Sequence, residues 1–95
     1  MNAELTHFRL RIKGQVQGVG FRDWARDEAS VRGLAGWVRN RSDGSVELMI
    51  SGADDKVQDM LRACTQGPPL AIVHNIDIHN EKEAPPAGFA RKPTL

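Results

Sequence analysis

The chain has 95 residues, one cysteine and nearly balanced charge, 13 Lys and Arg against 12 Asp and Glu, which fits one compact domain over 1–95 and excludes a multidomain assembly. The balance excludes a broad electrostatic footprint for nucleic acid or an anionic membrane, so any anion recognition must be local. Cys64 can close no internal bridge and suits a reducing compartment; Met1 to Glu4 carry an acid and no apolar run, and no segment approaches membrane-spanning length, so a cytoplasmic protein without a signal peptide is expected.

Leu5 to Lys13 alternates, with Phe8, Leu10 and Ile12 on one face and His7, Arg9, Arg11 and Lys13 on the other, which predicts a half-buried strand. A glycine-rich stretch from Gly14 to Arg22 follows, with Gly14, Gly18 and Gly20. Phe21, Trp24, Ala25 and Ala29 then recur at helical spacing until Gly33 ends the pattern, and Asp23 in the first turn complements the helix dipole. Ala35 to Arg41 reads as a second strand, with Val38 and Asn40 pointing one way and Trp37, Arg39 and Arg41 the other. Ser42-Asp43-Gly44 is a hairpin signal, and Ser45 to Ser51 alternates again around Val46, Leu48 and Ile50.

Val57, Met60, Leu61 and Cys64 mark a second helical stripe between Asp54 and Gln66, stopped by Gly67, Pro68 and Pro69. Cys64 lies on that stripe and reads as a buried structural thiol. Ile72 to His79 predicts a fourth strand with Ile76 and Ile78 inward; His74 shares their face or is displaced by a bulge. Asn80 to Gly88 is a loop, Phe89 opens a possible short last strand, and Pro93-Thr94-Leu95 reads as a free end.

The order strand, helix, strand, strand, helix, strand is the split βαβ, or ferredoxin-like, pattern: an α+β sandwich whose two helices cover one face of a mostly antiparallel sheet of four to five strands. Right-handed crossovers make the first two strands parallel with the third between them. Both then finish at one edge of the sheet, the first at the glycine loop and the second at Asn40, which brings Asn40 towards Arg22.

The glycine loop has two readings. It is a plain turn from strand to helix, or it is a phosphate cradle built from uncovered N–H groups, a helix N-terminus and the planar fork of Arg22. It is neither a P-loop nor a dinucleotide fingerprint, since no Gly-Lys-Ser/Thr follows and Asp23 stands where a third glycine would be. His7, His74 and His79 lack metal-ligand spacing, no acidic cluster suggests magnesium, and no Ser or Cys lies in a nucleophile turn, so no metal or cofactor is expected. A cradle, a guanidinium and a carboxamide can hydrolyse only an activated phosphoryl compound, because such transfer depends mainly on positioning and charge stabilisation. Asn40 would orient the water; taken alone it also reads as a strand-end residue capping the hairpin.

Gly14-x-Val16-Gln17-Gly18-Val19-x-Phe21-Arg22 resembles the first acylphosphatase signature, and Gly36-Trp37-Val38-Arg39-Asn40 with Gly44-x-Val46 and Gly52 resembles the second. The likeness spans nearly the whole chain, including Gly67-Pro68-Pro69-Leu70. It implies a ferredoxin-like enzyme that hydrolyses carboxyl-phosphate bonds without cofactor. It further implies that Arg22 binds the phosphate, that Asn40 positions the water, and that Gln17, Gly18, Val19, Gly20 and Phe21 supply main-chain donors. The expected ligands are a small acyl phosphate, with inorganic phosphate or sulfate as anion analogues, and the expected state is a monomer.

Three positions depart from the family pattern. Arg32 replaces an apolar residue at the end of the first helix, with Val31 expected to take over its packing; Asp23 follows the arginine as a possible weak competitor for it; and the segment from Gly88 to Pro93 is poor in strand formers. The alternative function is a non-catalytic module for carbamoyl phosphate or a similar anion, as in the front domain of hydrogenase-maturation carbamoyltransferases. An RNA-binding domain shares the element order but needs aromatics on its central strands, where this chain offers only Phe8.

Overall fold

The computed structural model describes residues 4–95. The expectation about a leader therefore falls partly on residues 1–3, outside the described residues. The elements are β1 (Leu5–Gln15), α1 (Phe21–Val31), β2 (Ala35–Asn40), β3 (Val46–Ala53), α2 (Asp54–Cys64), β4 (Ile72–Asn80) and β5 (Phe89–Arg91). No helix among the described residues is long and apolar enough to cross a membrane.

The five strands form one sheet in the order β4-β1-β3-β2-β5. β3 runs antiparallel to both β1 and β2, so those two are parallel as the crossover rule requires, and β5 pairs parallel with β2. This is the ferredoxin-like α+β sandwich. Its core lies where Leu10, Ile12, Val38, Val46, Leu48 and Ile50 of the sheet meet Phe21, Ala25 and Ala29 of α1 and Val57, Met60 and Cys64 of α2, all buried. Each large apolar side chain removed from water there contributes roughly 1.5–3 kcal/mol. Trp24 sits at the margin, edge-on to Phe21 at 5.2 Å between ring centroids.

Several expectations change. β1 continues through Gly14 and Gln15, so only residues 16–20 form the loop. Its pairing with β4 passes from Lys13–Asn75 to Gly14–Val73, which leaves His74 as the extra residue of a bulge. Ile76 and Ile78 pair with Ile12 and Leu10, so they face the helices as expected, but Ile78 is 46% exposed. β4 is an outer strand, and helical cover runs out before reaching that end.

Val31 does not replace Arg32 in the packing, being 82% exposed. Arg32 instead joins the two helices, with Nε donating to Asp59 Oδ2 at 2.8 Å and a second nitrogen to the Glu28 carbonyl at 3.0 Å. The last residues are not a free end. Lys92 N–H donates to the Val38 carbonyl, Leu95 N–H to that of Asn40, and Ser42 N–H to that of Leu95, which extends the pairing along β2 past β5.

Candidate active site

The loop between β1 and α1 is fastened at its ends. Val16 and Phe21 are buried in the core and Val19 packs against it, leaving Gln17, Gly18 and Gly20 at the surface. Gly20 caps the helix at φ 79°, ψ 20°, a left-handed conformation that only glycine adopts without strain, and α1 has no side-chain cap. The first helical bond runs from Trp24 N–H to the Gly20 carbonyl. Among the described residues, no backbone bond outside the regular elements is donated by the amides of Gln17 to Arg22, so these donors are left unused at the uncapped start of α1.

Asn40 is the last residue of β2, and its backbone opposes Val46 of β3, as does Ile12 of β1 from the other side. Ile12 and Asn40 thus lie level across β3, and β1 runs on past that level to Gln15. Asn40 shares the alternation phase of buried Val38, so its side chain lies on the helix-covered face, where α1 begins. Loop and hairpin are tied directly: Gln17 Nε2 donates to the Arg41 carbonyl at 2.8 Å and to the Ser45 carbonyl at 2.9 Å. Asn40 is not the cap of the hairpin; Asp43 is, accepting from Ser45 N–H at 2.9 Å and Ser45 Oγ at 2.6 Å.

Arg22 is half-buried in the first turn of α1 and has no carboxylate partner among the described residues. Asp23 does not compete for it. Its carboxylate accepts from Arg91 of β5 and lies 3.7 Å from Arg26. The Arg91 hydrogen bond holds the Asp23 carboxyl below its ordinary range, with the charges of Arg91, Arg26 and Arg22 adding to the effect.

A cavity of about 650 Å³ lies elsewhere, between the 81–88 loop and the sheet, lined by Trp37, Met49 and Phe89 among others. Neither Arg22 nor Asn40 borders it.

The acylphosphatase family profile matches residues 8–91, the span that holds the loop, both helices and all five strands but for their outermost residues. The chain belongs to the acylphosphatase family. It is 45% identical over 87 residues to the acylphosphatase of Rhizorhabdus wittichii, covering 92% of this chain and 88% of that one. The structure of an acylphosphatase from Coxiella burnetii superposes with a TM-score of 0.89 at 33% identity, over 93% of each chain. Full-length HypF in its phosphate- and nucleotide-bound form contains the same fold, with a TM-score of 0.89 at 23% identity over 99% of this chain and 13% of that one.

Within this acylphosphatase-family chain, three features escape a reading of the sequence alone. The Gln17 side chain, expected only to lend its backbone donor, is the tie to the hairpin. Arg91 fixes Asp23 beside Arg22. Glu47, on the polar phase of β3, gathers Arg9, Arg39 and Arg41 around a buried carboxylate. The sequence signal for the last was present: one acid on the outward phase of a strand, beside strands whose outward phase is rich in arginine.

Proposed function

We propose that this single-domain chain is a metal-independent acylphosphatase that hydrolyses the carboxyl-phosphate bond of a small acyl phosphate. The unused amides of Gln17, Gly18, Val19, Gly20 and Phe21 hold the phosphate, and Arg22 neutralises charge on its equatorial oxygens. The Asn40 carboxamide orients a water in line with phosphorus. The water oxygen bonds to phosphorus as the bond to the acyl oxygen breaks, and the departing electron pair leaves with the carboxylate. Carboxylates are weak bases and depart without a general acid, so the water's proton passes to a phosphate oxygen. Preorganised donors in such a site act where charge develops. Inorganic phosphate, the product, and sulfate occupy the same cradle. The expected state is a cytoplasmic monomer.

The observation that carries this reading is the run of free amides above the uncapped start of α1, tied by Gln17 to the strand end that bears Asn40. The test is hydrolysis of benzoyl phosphate by chelator-treated protein. Arg22→Ala is expected to lose about a hundred- to a thousand-fold in kcat/KM, the usual effect of deleting one charge-stabilising donor. Asn40→Ala is expected to lose turnover while phosphate still binds. Folded wild type that binds phosphate and turns nothing over would make the chain an anion-binding module instead.

A further inference from the structure

Glu47 stands in β3 on the face the helices leave open, yet its side chain is only 2% exposed. A carboxylate so placed requires partners. Arg39 Nε lies 2.7 Å and an Arg41 nitrogen 3.3 Å from Oε1, and an Arg9 nitrogen lies 3.2 Å from Oε2. Arg9 is shared with Glu81, at 2.7 Å. Arg39 and Arg41 have no other carboxylate among the described residues, and Arg39 also rests over the Trp37 ring at 4.6 Å.

Arg39 and Arg41 are the residues immediately before and after Asn40. Alternate side chains of a strand point to opposite faces, so a grip on both neighbours from behind the sheet dictates how the residue between them projects from the front. The grip acts at the end of β2, where Arg41 N–H donates to the Ser45 carbonyl and Leu95 N–H to the Asn40 carbonyl; these bonds hold the backbone, and the carboxylate fixes the two flanking side chains behind it. Arg41 also gives its carbonyl to Gln17, so the same arginine connects the buried carboxylate to the glycine loop. A buried ion cluster is a poor device for stability alone, since apolar residues of like volume commonly serve as well or better. Its placement around one particular side chain argues for alignment.

We infer that Glu47 is a positioning residue for the reaction: by holding Arg39 and Arg41 behind the sheet, it sets the direction of the Asn40 carboxamide relative to the glycine loop. The inference rests on the reading of Asn40 as the residue that orients the water.

The experiment is a double-mutant cycle on benzoyl phosphate hydrolysis with Glu47→Gln, Asn40→Ala and their combination. Small misplacements of a reacting group can cost up to about a hundred-fold, so Glu47→Gln is expected to lower kcat about tenfold. KM and inhibition by inorganic phosphate should stay within about twofold, because the loop and Arg22 are untouched. In the Asn40→Ala background the same substitution should change kcat by less than about twofold, since the group it aligns is gone. Glu47→Asp keeps the charge, replaces the amide variant in the cycle if that one fails to fold, and should show the same pattern with a smaller loss. An unchanged kcat, equal losses in both backgrounds, or a loss of phosphate affinity would overturn the inference. If Asn40→Ala itself turns over like wild type, the reading of Asn40 fails and takes this inference with it. A slow Asn40→Ala with additive losses leaves that reading standing while Glu47 loses its role.

Discussion

The Gln17 carboxamide donates to the Arg41 carbonyl at 2.8 Å, so a side chain of the glycine loop is anchored one residue beyond Asn40. Its second bond, to the Ser45 carbonyl at 2.9 Å, reaches the other side of the same turn. The loop therefore keeps its place against the hairpin through one amide. Gln17→Ala should lower stability by about 1–2 kcal/mol, at roughly 0.5–1.5 kcal/mol per hydrogen bond. The larger effect should fall on the anion: weaker inhibition by inorganic phosphate and a raised KM, with kcat changed less. A thermal melt and a phosphate inhibition series check both, and unaltered phosphate inhibition would show that the tie plays no part in binding.

Two glycines with positive φ should respond very differently to a methyl group. Gly20, at φ 79°, has open space within 4 Å of where a Cβ would stand, so Gly20→Ala meets only left-handed strain, about 1–2 kcal/mol. Gly36, at φ 146°, would place its Cβ 1.7 Å from the Met49 carbonyl oxygen, inside the β2–β3 ladder. Gly36→Ala must push backbone apart and should cost more than about 4 kcal/mol or abolish folding. Urea denaturation of the two variants separates the cases.

Cys64 is fully buried on the inner stripe of α2, and burial pushes its thiol up to about 12. The nucleophile is the thiolate, so a native thiol in this setting should be inert. Ellman's reagent at about pH 8, near the ordinary thiol range, should label the native protein only at the rate of unfolding and the denatured protein at once. Rapid labelling of native protein would contradict the packing of α2.

Burial raises the Glu47 carboxyl, but hydrogen bonds from Arg39 and Arg9 and the nearby guanidinium charges hold it below the ordinary 4.5. The native state therefore binds this proton less readily than the unfolded chain. The stabilisation is fully present above pH 4.5 and is lost as the pH falls below that value through the native one. Asp43 and Asp59, held low by Ser45 and by Arg32, add the same trend below their ordinary 3.8. The urea midpoint of the wild type should drop on acidification below pH 4.5, and Glu47→Gln should show a shallower drop. An equal slope in the two proteins would mean that Glu47 gains nothing from its arginines.

The fold was readable because its determinants are local or periodic. Phe8, Leu10 and Ile12 announce β1, Val57, Met60 and Cys64 announce α2, and Asp43-Gly44 announces the hairpin. The topology followed from element order and crossover handedness. What was not readable depends on partners far away in sequence. Arg32 looks like an intruder until Asp59, 27 positions on, comes alongside. Ile78 has the right phase, but its exposure is set by how far the helical cover extends. Leu95 looks loose until the open flank of β2 offers it the Asn40 carbonyl. At the candidate site, the loop and Asn40 were visible as motifs, whereas Gln17 as a tie and Glu47 as a hub emerge only when strands separated by tens of residues are set side by side.

The bulge at His74 has a consequence for crowding. β4 is one border of the sheet, and a straight border presents a regular row of donors and acceptors on which another chain could add as a sixth strand. The extra residue breaks the repeat of that row and bends the strand near its start. A newcomer that docks in register beyond the break is out of register before it. The irregularity thus works as a safeguard against templated aggregation, and its removal by deleting His74 would put that safeguard to the test.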